Sequence, residues 1–165
     1  MRRLSVLLLA ALAVAIVFPI TASARSWVDL DLNLASYHTE PWARHSLNQL
    51  NPGLGITYHW NRTWAVMGGE YKNSYRRPTW YALVAFTPLQ LGQPTGWHVD
   101  AGLAAGLASG YRHAEVPSEP AVAGIILRLA APNGIALNLL GVPNSDAHNS
   151  GFIGFQLVMP WGGVR

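Results

Sequence analysis

The sequence contains no cysteine. A disulfide framework and a thiolate metal site are therefore excluded, and an exported domain of this size must be held by its own packing or by a membrane. Charge is also scarce. Asp, Glu, Lys and Arg make up 12% of the chain, about half the usual share of a soluble protein. Beyond residue 24 no apolar run is long enough to cross a bilayer as a helix. Phosphate-binding loops, nucleophile elbows and metal-ligand spacings are missing, and the six histidines are scattered. No metal and no cofactor are expected. A chain this apolar without spanning helices points to a closed transmembrane β-barrel, in which every backbone polar group pairs with a neighbouring strand.

The first 24 residues read as a secretory leader. Arg2 and Arg3 precede an apolar run from Leu4 to Ile20, and Ala22-Ser23-Ala24 supplies the small-residue cleavage pattern. Residues 25–165 are then expected to form one barrel domain, exported to the outer membrane of a Gram-negative cell. Two of the eleven basic residues lie in the leader, leaving nine against eight acidic ones. Such a balance gives no footprint for nucleic acid.

Alternation with a period of two runs through the rest of the chain. Val28, Leu30, Leu32 and Leu34 alternate with Asp29, Asp31 and Asn33, and Leu54, Ile56, Tyr58 and Trp60 with Gly55, Thr57 and His59. Strands are predicted over Trp27–Tyr37, Leu54–Trp60, Thr63–Lys72, Thr79–Thr87, Trp97–Ser109, Pro120–Leu129, Gly134–Val142 and Gly151–Trp161. The expected fold is all-β, an eight-stranded antiparallel up-and-down transmembrane barrel.

Connections should alternate between short turns at 61–62, 92–96 and 131–133 and longer loops at 40–51, 73–78, 111–119 and 143–150, as periplasmic and external ends do. Trp27, Trp60, Trp64, Trp97 and Trp161 are expected to form one interfacial girdle, and Tyr37, Trp42, Tyr75, Trp80 and Tyr111 the other.

Inside, Gly53, Gly55, Gly102, Ala104, Gly106 and Ala108 are small. An eight-stranded barrel has an interior that side chains just fill. These positions either leave room for a slender guest such as an acyl chain or are filled by neighbours such as Tyr81 and Leu83. His38 ends the first strand, and Asn73-Ser74-Tyr75 ends the third. Imidazole beside a hydroxyl suits acyl transfer, although a His and a Ser at loop boundaries are commonly plain surface residues.

A resemblance adds to this reading. Tyr71-Lys72-Asn73-Ser74-Tyr75 is similar to the Phe-Lys-Asp-Ser-Trp motif ending the third strand of the PagP family of outer-membrane lipid A palmitoyltransferases. Trp97 to Leu107 matches the rhythm of that family's Gly-rich fifth strand, and Val142-Pro143 its Ile-Pro. The resemblance implies palmitoyl transfer from a glycerophospholipid donor to a lipid A acceptor within outer-membrane lipid, by a monomer. It places catalysis on His38, Asn73 and Ser74, with His38 as general base or acid, Ser74 polarising a reacting oxygen and Asn73 orienting His38 or donating to an oxyanion. Tyr75 and Arg76 at the mouth, and Gly102 and Gly106 within, would contact substrate. Pro143 would open a lateral gap. Asn73 departs from the family, which has Asp there.

Two other functions fit the same barrel. One is a lipid A deacylase of the PagL kind, for which His148-Asn149-Ser150 offers a His-x-Ser pair. The other is a non-enzymatic barrel that stabilises the membrane or binds a hydrophobic ligand, with Arg76 and Arg77 suited to lipid phosphates.

Overall fold

The computed structural model describes residues 26–116, 118–144 and 150–161. The leader, His148 and Asn149 of the His-x-Ser pair, and the last four residues lie outside the described residues. Eight strands form a closed barrel in sequence order, each antiparallel to the next and the last paired with the first. They are Trp27–His38 (β1), Leu50–His59 (β2), Trp64–Lys72 (β3), Pro78–Gly92 (β4), His98–Ala108 (β5), Ala121–Ala130 (β6), Ala136–Val142 (β7) and Phe152–Trp161 (β8). One short helix, Pro41–Ser46 (α1), lies between β1 and β2; alternation carries no signal for it, and Pro41 suits the first helical turn.

The predicted alternation decides which residues face out. Leu54, Ile56, Leu103, Leu107 and Ile125 are each more than half exposed on the outer wall, whereas Asp29, Asp31, Thr57 and Thr79 are buried inside. Polar residues in and apolar residues out is the reverse of a soluble barrel's arrangement.

Two β-bulges change the expected boundaries. Leu34 is an extra residue of β1 against β8, and against β2 the register shifts at the same place, with Asn51 and Pro52 opposite Leu34. Pro52 lies in the same irregularity on β2, so that strand begins at Leu50 rather than at Leu54. A second bulge in β4, between Phe86 and Leu89, takes in Pro88. A proline has no N–H to give to the ladder, and a bulge is where that loss is harmless. β4 therefore runs on to Gly92 through residues that read as a connection.

The connections are less unequal than expected. Residues 73–77 form a turn no longer than those at 93–97 and 131–135 on the opposite end. Trp60, Trp97 and Trp161 are exposed at the turn end, but Trp27 turns inward and stacks on His59 with ring centroids 4.3 Å apart. Trp27 belongs to the same face of β1 as Asp29 and Asp31, and alternation alone assigns it there. At the other end Tyr37, Trp42 and Trp80 are exposed, whereas the Tyr111 hydroxyl meets that of Tyr71 at 2.9 Å.

Polar side chains divide the interior into two chambers. Asp29 Oδ2 accepts from His59 Nε2 and Arg128 Nη2, each at 3.0 Å, and Thr57 donates to Asp31 at 2.6 Å. Above this layer Gln156 accepts from Asn138 at 2.9 Å and donates to Asn33 and the Tyr81 hydroxyl, both at 3.2 Å. The chamber towards the turn end, about 370 Å³, is lined by His59, Arg62, His98, Asp100 and Arg128. The chamber towards the loop end is apolar.

Candidate active site

The loop-end chamber measures about 100 Å³, enough for a slender guest but not a bulky one, and Met67, Tyr81, Leu83, Ile126, Leu140 and Phe155 are among its walls. Asn138 and Gln156 form its floor, and Ser36, Asn51 and Ser74 line its mouth. Tyr81 occupies the space that small residues leave: a Cβ on Gly55 would strike its hydroxyl. Both readings of the small residues thus hold in part, since Tyr81 and Leu83 are buried core yet a cavity remains beside them.

Gly102 and Gly106 do something else. A Cβ on Gly102 would run into the carbonyl of Phe86, and one on Gly106 into that of Ala82, so these glycines allow β5 to approach β4 closely. Neither lines the loop-end chamber; Gly106 borders a second cavity described below.

His38 lies inside because of the bulge. Strict alternation from Val28 would put it on the outer wall, but the extra Leu34 reverses the phase, and Ser36 and His38 are both buried. The His38 ring packs 6.0 Å from that of Phe152. Its Nδ1 lies 2.9 Å from Gln49 Oε1. Beside it, Ser36 donates to Asn51 at 2.7 Å, and Asn51 donates to the Lys72 carbonyl at 2.9 Å, tying β1, β2 and β3 together at the mouth.

Ser74 and His38 both contact the loop between β1 and β2 but share no hydrogen bond. The Ser74 carbonyl accepts from the Asn48 N–H at 2.9 Å, one residue from Gln49. Among the described residues the Ser74 hydroxyl has no hydrogen-bond partner, although it lines the cavity.

Asn73 is fully buried and its amide is consumed by the turn. Its Oδ1 accepts from the N–H groups of Tyr75 and Arg77 at 2.9 and 3.0 Å, and its Nδ2 donates to Thr79 Oγ1 and the Gly110 carbonyl, both at 3.0 Å. Local side-chain bonds of this kind are why Asn favours turns. Arg76 is exposed in the same turn with a positive φ of 63°.

Next to this turn Arg77 bridges to Glu115 and donates to the Gly110 carbonyl at 2.8 Å. Burial works against the Glu115 charge, but hydrogen bonds from Arg77 and the Arg112 N–H hold its carboxyl below the ordinary value. Burial raises the Tyr111 hydroxyl well above its ordinary value, and the neighbouring Tyr71 adds to the effect. Tyr75 stands edge-on to Tyr111 and beneath the Arg77 guanidinium.

The wall is incomplete at one place near the mouth. β6 and β7 pair only from Ile125 and Gly141 downwards, so Ala121 to Gly124 have no partner on the β7 side. A lateral cavity of about 490 Å³ opens there between Pro120 and Pro143. It shares Tyr71, Ala108, Tyr111, Val122 and Phe152 with the loop-end chamber, so the two adjoin. Pro143 does border the gap that its missing N–H predicts.

Sequence reasoning missed Ser36, Gln49 and Asn51. The first is hidden by the bulge, and the other two lie in a stretch that reads as loop. Together these features define a closed eight-stranded barrel in which a buried histidine packs against Phe152, a wall residue of a narrow, side-opening apolar chamber that His38 itself does not line. Compared with family models and with curated proteins, the chain matches none.

Proposed function

We propose that this chain is an outer-membrane acyltransferase that moves a fatty acyl group from a glycerophospholipid to lipid A. The observation that carries the proposal is the junction at Phe152. That side chain touches the His38 ring, the loop-end chamber and the lateral cavity at once. A lipid entering sideways between β6 and β7 would put its tail in the chamber and its ester beside an imidazole, the geometry that general-base catalysis requires. The apolar outer wall supports the membrane setting, because a charge-poor exterior is stable against lipid rather than water.

The chamber favours a chain shorter than palmitoyl. Four residues of β8 separate Phe152 at the mouth from Gln156 at the floor, about 13 Å along the strand and less along a tilted barrel axis. That depth accommodates roughly ten carbons of an extended chain before it meets the Asn138–Gln156 amides. A non-enzymatic lipid-binding barrel is the second reading, favoured by one observation: the Asn73 amide is fully engaged in its turn, and among the described residues no carboxylate hydrogen-bonds His38.

Expression of the full chain in a Gram-negative host lacking its own palmitoyltransferase, followed by mass spectrometry of lipid A, tests the proposal. An added acyl chain is the expected result. Unchanged lipid A from a barrel folded in the outer membrane would assign the non-enzymatic reading, and loss of a chain the deacylase.

A further inference from the structure

Gln49 is placed to choose the tautomer of His38. Its carboxamide has only one consistent orientation. At one end Nε2 faces the carbonyl oxygens of Leu47 and Ala43, at 3.1 and 3.3 Å, and carbonyls only accept. At the other end Oε1 faces the His38 backbone N–H at 3.4 Å, and an N–H only donates. A flipped amide would set oxygen against two oxygens and NH₂ against an N–H. Oε1 is therefore the acceptor for the ring, 2.9 Å from Nδ1, so in the neutral imidazole Nδ1 carries the hydrogen and Nε2 the lone pair. Among the described residues Nε2 has no hydrogen-bond partner.

The loop is built to hold this amide. Ala43 in α1 is fully buried and its carbonyl also accepts the Leu47 N–H at 2.9 Å. Arg44 donates to the carbonyls of His38 and Thr39 at 2.9 and 2.6 Å, fastening the helix to the end of β1. The Gln49 carbonyl itself accepts the Ser36 N–H at 2.8 Å, so the backbone of Gln49 continues the β1–β2 pairing. Helix, strand end and amide form one rigid unit.

We infer that Gln49 is the positioning residue of this site. It fixes His38 in the Nδ1–H tautomer, so that Nε2 takes the proton of the lipid A hydroxyl as that oxygen bonds to the donor's ester carbonyl carbon. The carbonyl's bond to the glycerol oxygen breaks, and Nε2 returns the proton to that oxygen as the lysophospholipid leaves. The inference rests on the acyl-transfer reading for the base role, but the tautomer is measurable without any activity. In hydrolytic triads a buried carboxylate orients the histidine in the same way; here a neutral amide does so, holding the ring without favouring its charged form.

Long-range proton–nitrogen NMR of the full chain, labelled with ¹⁵N-histidine and folded in detergent micelles, reads the tautomer; His38 is assigned by its loss in His38→Gln. The Nδ1–H form is expected for the neutral ring, with a shift towards Nε2–H in Gln49→Ala. Wild-type His38 carrying its hydrogen on Nε2 would overturn the inference. In acyl-transfer assays Gln49→Ala should lower kcat at least about tenfold with KM nearly unchanged. Gln49→Glu should restore much of kcat and move the acid limb of the pH profile upwards, because a carboxylate favours the imidazolium. Glutamate cannot donate to Ala43 and Leu47, so a purely structural role for Gln49 predicts no rescue, and that result also overturns the inference. If the wild-type chain transfers nothing, the acyl-transfer reading fails while the NMR result still decides what Gln49 does.

Discussion

Arg128 on β6 reaches through the barrel interior to Asp29 on β1, its Nη2 3.0 Å from Oδ2, and this ion pair lies beneath the Asn138–Gln156 floor of the loop-end chamber. Asp29 is completely buried. The guanidinium and His59 both bind its Oδ2, which offsets the cost of burying the charge.

Arg128→Met should therefore destabilise the barrel by about 3–5 kcal/mol, since removal of one partner strands a buried charge. The double variant Arg128→Met with Asp29→Leu should recover most of that loss. Urea unfolding in detergent micelles measures both.

Leu103 and Ile125 face each other on the outer wall, each more than half exposed. In a membrane barrel Leu103→Lys puts a charge near the bilayer midplane and should lower stability by about 2–4 kcal/mol. In water the same change would have almost no effect. Folding titrations into phospholipid vesicles separate the two settings.

His38→Ala and Ser74→Ala should each abolish acyl transfer while the barrel keeps its heat-modifiable migration on gels. Full activity in both variants would discard the assignment. Asn73 should behave differently. Loss of its four hydrogen bonds in Asn73→Ala should cost about 2–4 kcal/mol of stability. Asn73→Asp, which restores the carboxylate of the resembling family, sets an acceptor against the Gly110 carbonyl and should weaken the turn rather than increase activity.

Glu115 ties the 109–120 connection to Arg77. Its folded-state pKa lies below the ordinary value of 4.5. The stabilisation it provides is thus fully present above that value and disappears as pH falls through the folded-state pKa. Hydrogen exchange in residues 109–116 should accelerate below the ordinary carboxylate range, and Glu115→Gln should abolish the transition.

The eight strands and their order were legible because alternation survives wherever one wall is greasy and the other polar. Trp80, Leu103 and Ile125 faced out as alternation requires, and Ala104 and Ala108 faced in. Bulges moved the boundaries: Pro52 and Pro88 lie just outside the predicted strands, yet both sit in bulges inside the observed ones. The mouth was harder. His38 and Ser74 were singled out by their places at strand ends and by a resemblance, but Gln49 and Asn51 take their positions from a fold of the first loop that only tertiary contacts specify. Gly102 and Gly106 were legible as small, although smallness does not reveal whether it serves a guest or a neighbouring strand.

Leu34 carries no reactive group, yet it settles on which surface the proposed chemistry occurs. Were this one residue paired in regular register instead of bulged, the odd–even count along β1 would run unbroken and send Ser36 and His38 to the greasy exterior, with every catalytic atom intact and pointing the wrong way. Topological parity, carried by a spare leucine, is as much a component of the site as the imidazole itself.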